Sequence, residues 1–159
     1  MKESVKLILI AFLGIAVLAL FDIVVLERIY HPLSSAYNIP WSALYVSPSI
    51  EFIWWHVAFL PLGFVIFGLL GWAAKSWKLF FSGSILVLTG WEDIFYYTFR
   101  GNWLPETLAW LNLNPVMALM NLILPGEDVT RLCVIVAAIL GLVAIYFMFY
   151  GNKKKKGKR

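Results

Sequence analysis

The sequence predicts an all-α integral membrane protein: a four-transmembrane-helix bundle with an extracytoplasmic cap of loop and interfacial helices. Three observations lead to this fold class. Of the 159 residues, 62% are hydrophobic and only 14% are charged, whereas about 25% of the residues of a soluble domain are charged. The apolar residues form long continuous runs. The lysines fall in alternate gaps between these runs, as expected for a chain that crosses a bilayer repeatedly.

Four apolar runs are long enough to cross a bilayer, because ~20 apolar residues span a hydrocarbon core of ~30 Å. They cover about residues 5–25, 50–74, 79–99 and 132–150. Helices are expected, since continuous apolar runs differ from the alternating pattern of a membrane β-barrel. We therefore predict a single polytopic membrane domain over residues 1–152, followed by a basic cytoplasmic tail over residues 153–159.

Two other segments are predicted to form the cap. Residues 107–126 carry no charge, but the run is interrupted by Asn112, Asn114, Asn121 and Pro125, and Pro115 would break a spanning helix near its middle. This segment is predicted to form interfacial or re-entrant helical pieces. Residues 27–49 are interrupted by Pro32, Pro40 and Pro48, and are predicted to lie on the membrane surface.

The basic residues predict the orientation. Ten of the thirteen flank the same ends of the runs: Lys2, Lys6, Lys75, Lys78, Lys153, Lys154, Lys155, Lys156, Lys158 and Arg159. The positive-inside rule makes this the cytoplasmic side of a multi-pass cell-membrane protein, with both termini inside. Because the basic tail directly follows an apolar run, we expect it to bind anionic lipid headgroups rather than nucleic acid.

The acidic residues gather at the opposite ends of the runs, and two of them lie deeper than a loop requires. Glu92 and Asp93 occur in the stretch TGWEDIFYYTFRGNW. At 1.5 Å per residue, Asp93 lies about 10 Å inside Arg100, and His56 about 7 Å inside Glu51. An ionisable group in hydrocarbon costs at least ~2.5–3.5 kcal/mol, so each of these groups needs a partner or a wet cavity.

Helical spacing predicts the neighbours of the acidic pair. Asp93 shares a face with Tyr97 and Arg100, and Glu92 shares one with Tyr96. We expect Asp93 to contact Tyr97, Arg100 or Arg131. We expect Glu92 to face the second run near Glu51 and His56. The candidate ligand-binding residues are the aromatic and cationic side chains around the pair: Trp91, Tyr96, Tyr97, Arg100 and Arg131.

Carboxylates and an imidazole together suggest a metal or an acid–base site. The candidate catalytic residues are Glu92, Asp93 and His56, and the candidate metal ligands are Glu51, His56, Glu92 and Asp93. Such side chains bind zinc, iron or manganese, and helical bundles hold such sites in their cores. A shared metal requires His56 and Asp93 to lie within about 8 Å of each other. Two alternatives stay open: an ion-pair network with Arg100 and Arg131, and a proton or ion relay.

Two classes of function follow from these alternatives. The first is a small membrane enzyme or ligand-binding protein that acts on a lipid-like or small substrate through a pocket in the outer half of the bundle. The second is a non-catalytic membrane component, either an accessory subunit or a small ion or proton carrier. The lipid bilayer is the expected partner in both, and a second copy or a membrane complex stays open.

Overall fold

The computed structural model describes residues 2–37, 45–47, 50–124 and 126–151. Helices dominate this part of the chain: α1 Glu3–Ile23, α2 His31–Ala36, α3 Trp54–Ala73, α4 Trp77–Leu88, α5 Trp91–Phe99, α6 Pro115–Ile123 and α7 Arg131–Tyr150. A π-helical segment, Val24–Tyr30, continues α1, and a 3-10 helix, Ala109–Leu113, precedes α6. Between α2 and α3, β1 (Tyr45–Ser47) and β2 (Ile50–Ile53) pair antiparallel.

Helix α4 lies at the centre of the fold and packs against α1, α3 and α7. Small residues allow the close approach. A Cβ added to Gly83 would lie 2.0 Å from the Phe67 ring, and one added to Gly63 would lie 3.2 Å from Val87. Ser82 and Ser84 are buried on the same helix. The sequence patterns of small residues thus indicate helix packing, because a larger side chain would separate the backbones.

Long helices that follow one another along the chain run antiparallel. Gly14 in α1 lies against Phe67, whereas Leu18, one turn later in α1, lies near Gly63, one turn earlier in α3. At the start of α4, Lys78 Nζ donates a hydrogen bond of 3.0 Å to the carbonyl oxygen of Met148, near the end of α7. The start of α1, the α3–α4 turn and the end of α7 therefore lie at one end of the fold. We call it the lysine end, and the opposite end the acid end.

The predicted third run is not one continuous helix. Helix α4 ends at Leu88, and α5 begins at Trp91. Between them Gly90 has a φ of +75°, a conformation that glycine adopts without the strain of a Cβ. The Thr89 hydroxyl donates to the Ile85 carbonyl oxygen at 2.7 Å, back along α4. The expectation of one continuous helix over residues 79–99 is wrong, because a hydropathy pattern gives no sign of a single left-handed residue.

The helix lengths confirm only part of the predicted membrane architecture. In the described chain, residues 3–29 and 131–150 form helices long and apolar enough to cross a membrane, and Ala58–Ala73 and Trp77–Leu88 are shorter apolar stretches. The second run also begins later than predicted, because residues 50–53 form β2. A helical protein with two candidate spans is established, while the four-span bundle and the separate basic tail stay predictions.

The segment after α5 folds over the acid end as short helical pieces, as predicted for residues 107–126. Pro115 does not break a helix there. It occupies the first position of α6, where its missing N–H is not needed. The Asn114 side chain accepts hydrogen bonds from the backbone N–H groups of Val116 (3.0 Å) and Met117 (3.3 Å). Leu108, Met117, Val129 and Val134 form a second apolar core beneath this cap.

Candidate functional site

The two adjacent carboxylates lie in the first turn of α5, directly after the break at Gly90. The positive end of the helix dipole favours acidic side chains at this position. Both are buried, with 6% of Glu92 and 8% of Asp93 exposed. The sequence-based expectation that these two side chains lie inside the fold is therefore correct, and the break in the third run is what places them there.

Asp93 has a neutral hydrogen-bond partner. The indole Nε1 of Trp110 donates to Asp93 Oδ1 at 3.0 Å, and the Tyr97 ring stacks on Trp110 with 6.4 Å between the ring centroids. Trp110 belongs to the 3-10 helix of the cap. The cap and the break thus meet at this carboxylate, and a hydrogen bond between the two segments fixes its position.

The arginines that were expected to neutralise the acidic pair bind elsewhere. Arg100 forms a salt bridge with Glu27, and its guanidinium lies 5.4 Å from the centroid of the Tyr96 ring. Arg131 Nε donates to the Pro105 carbonyl oxygen at 3.4 Å. Among the residues that the structure describes, neither arginine forms a salt bridge with Glu92 or Asp93, so the predicted ion-pair network gains no support there. Pairing an arginine with a buried carboxylate would remove the guanidinium from water, which costs free energy, whereas a partly exposed ion pair avoids most of this cost.

Glu92 differs from Asp93 in its surroundings. Its Oε1 atom is buried and has no hydrogen-bond partner in the described part of the chain. Glu92 interacts electrostatically with Asp93 and with Asp22 of α1, and Asp22 is itself only 4% exposed. We call Asp22, Glu92 and Asp93 the carboxylate cluster. Buried like charges disfavour each other, so the simultaneous ionisation of these carboxylates is unfavourable.

A small cavity adjoins the cluster. Its lining is mostly apolar and includes both acidic side chains of α5: Phe59, Leu60, Val87, Glu92, Asp93, Trp110, Leu111 and Asn114. The cavity holds about 20 Å³ of space for the centres of water molecules, which is enough for about one ordered water. It has no room for a lipid or for any other organic ligand. Phe59 and Leu60 of α3 line this cavity together with Glu92. The predicted proximity of Glu92 to Glu51 and His56 concerns side chains outside the described part and stays a prediction.

The metal prediction gains no support from this geometry. Among the side chains that the structure describes, no three His, Cys, Asp or Glu groups are close enough to hold a metal ion. The side chains of Glu51 and His56 lie outside the described part, and only their backbone positions, in β2 and the first turn of α3, are defined. The predicted separation of His56 and Asp93 therefore stays a prediction.

The remaining aromatic candidates divide into two groups. Trp91 belongs to the packing of the fold, since its Nε1 donates to the Ala138 carbonyl oxygen at 3.2 Å and its ring meets Phe12 edge-on at 5.1 Å. Tyr96 and Tyr97 lie between the cluster and the acid end, and each interacts electrostatically with Glu92 and Arg100. They border the polar region, whereas Trp91 does not.

Comparison with known proteins finds no matching family model, no similar curated protein and no similar solved structure.

Sequence reasoning missed two members of this site. Asp22 falls on the buried stripe of α1, after Leu7, Ala11, Ile15 and Leu18, so helical periodicity could have identified it. Asn114 is 2% exposed and could have been identified as a helix cap, because it directly precedes Pro115.

Proposed function

We propose that this chain is a multi-pass membrane protein that binds and exchanges a proton at its carboxylate cluster. The single observation that carries the proposal is the buried Glu92 Oε1 atom without a partner, beside a second carboxylate and a water-sized cavity. A buried carboxylate in this setting is most stable with a proton attached. A proton is also the one cation that needs no coordination shell.

The exterior of α1 and α7 supports the membrane location. Only 28% of the most apolar window in α1 is buried, and only 39% of the one in α7, whereas a core helix of a soluble protein is mostly buried. Large apolar side chains point outward along both helices: Leu9, Leu13, Val17, Leu20, Leu132, Ile139, Leu140 and Val143. An apolar exterior of this extent is typical of a surface that contacts lipid.

The volume of the cavity favours a proton over the other candidates. About 20 Å³ accepts one water but no substrate, so a lipid-modifying enzyme would need a different site. A divalent metal would need at least three converging ligands. Proton transfer needs only a carboxylate and one water within hydrogen-bond reach.

The proton would enter from the acid end. Tyr96 lies within electrostatic reach of Glu92, Asp22 and Glu27. Glu27 and Arg100 form their salt bridge in a partly exposed position. These groups make a polar track from the surface to the cluster. In the transfer step, a hydronium ion loses one proton to the Glu92 carboxylate, which becomes a carboxylic acid, and a water molecule is left in the cavity.

Infrared difference spectroscopy tests the proposal directly. A pH jump on the purified full-length protein should produce the carbonyl band of a protonated carboxylic acid, and Glu92→Gln should remove this band without lowering Tm. The matched control is Glu106→Gln, because Glu106 is an exposed acid at the same end. A Glu92→Gln protein that keeps the full band would overturn the proposal.

Proteoliposomes carrying an internal pH dye then separate two forms of the function. A carrier should acidify the lumen when a proton gradient is applied, and Glu92→Gln should abolish this flux. If the cluster binds a proton but the protein does not carry protons across the membrane, the infrared band should appear while the luminal pH stays unchanged. The second result would favour a role in a larger membrane complex or in chemistry supplied by a partner.

A further inference from the structure

A groove at the lysine end is separate from the carboxylate cluster. It lies at the α3–α4 turn and has a volume of about 470 Å³. Its principal lining residues come from the last turns of α3 and the start of α4: Gly68, Gly71, Trp72, Lys75, Ser76 and Trp77. We propose that this groove binds one anionic phospholipid, with an acyl chain along the groove and the phosphate at Lys75.

The groove follows a part of α3 where two glycines, Gly68 and Gly71, carry no side chain. A Cβ added to Gly68 would meet no atom within 4 Å, so the space beside α3 is open there. At Gly71 the helices close together, because an added Cβ would lie 3.0 Å from Phe80 Cβ and 3.2 Å from the Ser76 carbonyl oxygen. The groove is therefore open along α3 and closed at the turn, a shape that suits a flexible chain.

Two indole rings border the groove. Trp72 is 81% exposed and Trp77 is 77% exposed. Tryptophan is enriched at the level of lipid headgroups, where its ring is partly apolar and its N–H can reach polar groups. Exposed tryptophans at a membrane interface are common without any lipid site. Here, however, both tryptophans line a cavity.

Lys75 is held at the mouth of the groove by an unusual backbone. Its φ is +48°, and the hydrogen bonds Lys75 N–H to Trp72 O (3.0 Å) and Ser76 N–H to Gly71 O (2.8 Å) close the end of α3. These two bonds form a Schellman motif, whose left-handed position is usually glycine. The chain has lysine at this position, which directs an exposed ammonium group to the turn.

The charge of this end complements an anionic headgroup. Lys6 and Lys78 lie at the same end, and Glu3 is the one acid among the described residues there. The Ser76 side chain makes no capping bond to α4 within the described chain, so its hydroxyl is available to a phosphate oxygen. A lysine near an anionic lipid surface contributes ~1 kcal/mol. The proposal rests on the membrane location proposed above, but not on proton binding.

Native mass spectrometry of the detergent-solubilised full chain tests the lipid site. The probes are phosphatidylglycerol and phosphatidylcholine with identical acyl chains. The wild type should retain one phosphatidylglycerol in preference to phosphatidylcholine. Lys75→Asn should weaken this preference about fivefold, the equivalent of ~1 kcal/mol, because asparagine tolerates the left-handed backbone but carries no charge. Lys6→Asn is the control, since it removes a lysine of the same end outside the groove.

Gly68→Leu tests the groove itself. The added side chain should fill the open space and reduce the retention of both lipids, and Trp72→Ala should do the same by removing one wall. Because Trp72 is exposed, its truncation leaves the packing intact and provides the test even if Gly68→Leu does not fold. Equal retention of both lipids by the wild type would overturn the proposal. So would an equal effect of Lys6→Asn and Lys75→Asn, or full retention by both groove variants.

The two proposals fail in different ways. If the membrane location is wrong, the chain remains dispersed without detergent and retains neither lipid. If only proton binding is wrong, the infrared band persists in the Glu92→Gln protein, and the wild type still retains phosphatidylglycerol in preference to phosphatidylcholine.

Discussion

Asp93 and Glu92 are adjacent in the chain, yet their surroundings assign them different roles. Asp93 accepts a hydrogen bond from Trp110, which belongs to the cap. Glu92 Oε1 has no such partner in the described chain. A buried polar atom without a partner costs ~1–3 kcal/mol, so its retention at a site with a water-sized cavity points to function rather than stability. At the residue scale, Asp93 joins two segments and Glu92 is available for chemistry.

A stability measurement checks the role of Asp93. Trp110→Phe should lower the free energy of unfolding by ~1–3 kcal/mol, because it removes the donor and leaves a buried carboxylate oxygen unsatisfied. Asp93→Asn should be close to neutral, since the amide oxygen can still accept from Trp110 and no arginine loses its partner. Trp103→Phe serves as the control, because Trp103 is exposed. Thermal unfolding in detergent measures all three, and a strongly destabilised Asp93→Asn would contradict the assignment.

At the scale of elements, the break at Gly90 controls where the acidic pair lies. The residue has a positive φ, and an added Cβ would lie 2.8 Å from Met117 Cε and 2.9 Å from Val134 Cγ1. The conformation and the close packing therefore both exclude a side chain. Without this residue, α4 and α5 would tend to continue as one helix, and the carboxylates would move away from Trp110.

A matched pair of glycine variants separates these two effects. Gly90→Ala should be destabilising through both the left-handed backbone, at ~1–2 kcal/mol, and the contact with Met117. Gly101→Ala should show the backbone effect alone, because Gly101 has a φ of +71° and no atom within 4 Å of an added Cβ. The difference between the two losses in unfolding free energy measures the packing term. Equal losses would mean that the neighbours of Gly90 move aside freely.

The sequence allowed the helices to be predicted better than the contacts between them. Long apolar runs identified α1 and α7, and Pro115 with the asparagines of residues 107–126 indicated short pieces in the cap. The break at Gly90 was missed, because a glycine in an apolar run can either allow close helix packing, as Gly83 does, or end a helix, as Gly90 does. The pairing of Arg100 with Glu27 was missed as well. Helical spacing orders residues along one face, but it does not determine which other helix meets that face.

At the scale of the whole molecule, the antiparallel packing separates the charges along the fold. The lysine end carries the α3–α4 turn, and the acid end carries the cap and the salt bridge of Glu27 with Arg100. Helix α4 has 12 residues and α5 has 9. At 1.5 Å per residue, the two together measure about 30 Å along their axes, the thickness of a hydrocarbon core. The predicted four-span topology thus requires that the third crossing be broken at Gly90.

Topology labelling tests this scheme in intact cells. We expect a membrane-impermeant thiol reagent to label Asn102→Cys from outside and Asn152→Cys only after permeabilisation, in a Cys133→Ser background. The first position follows α5 at the acid end, and the second precedes the lysine tail, which the positive-inside rule retains in the cytoplasm. Labelling of both positions from the same side would rule out four crossings. Because Lys75→Cys is at the lysine end, it should behave like Asn152→Cys, and labelling of Lys75→Cys from outside would mean that α3 does not cross the bilayer.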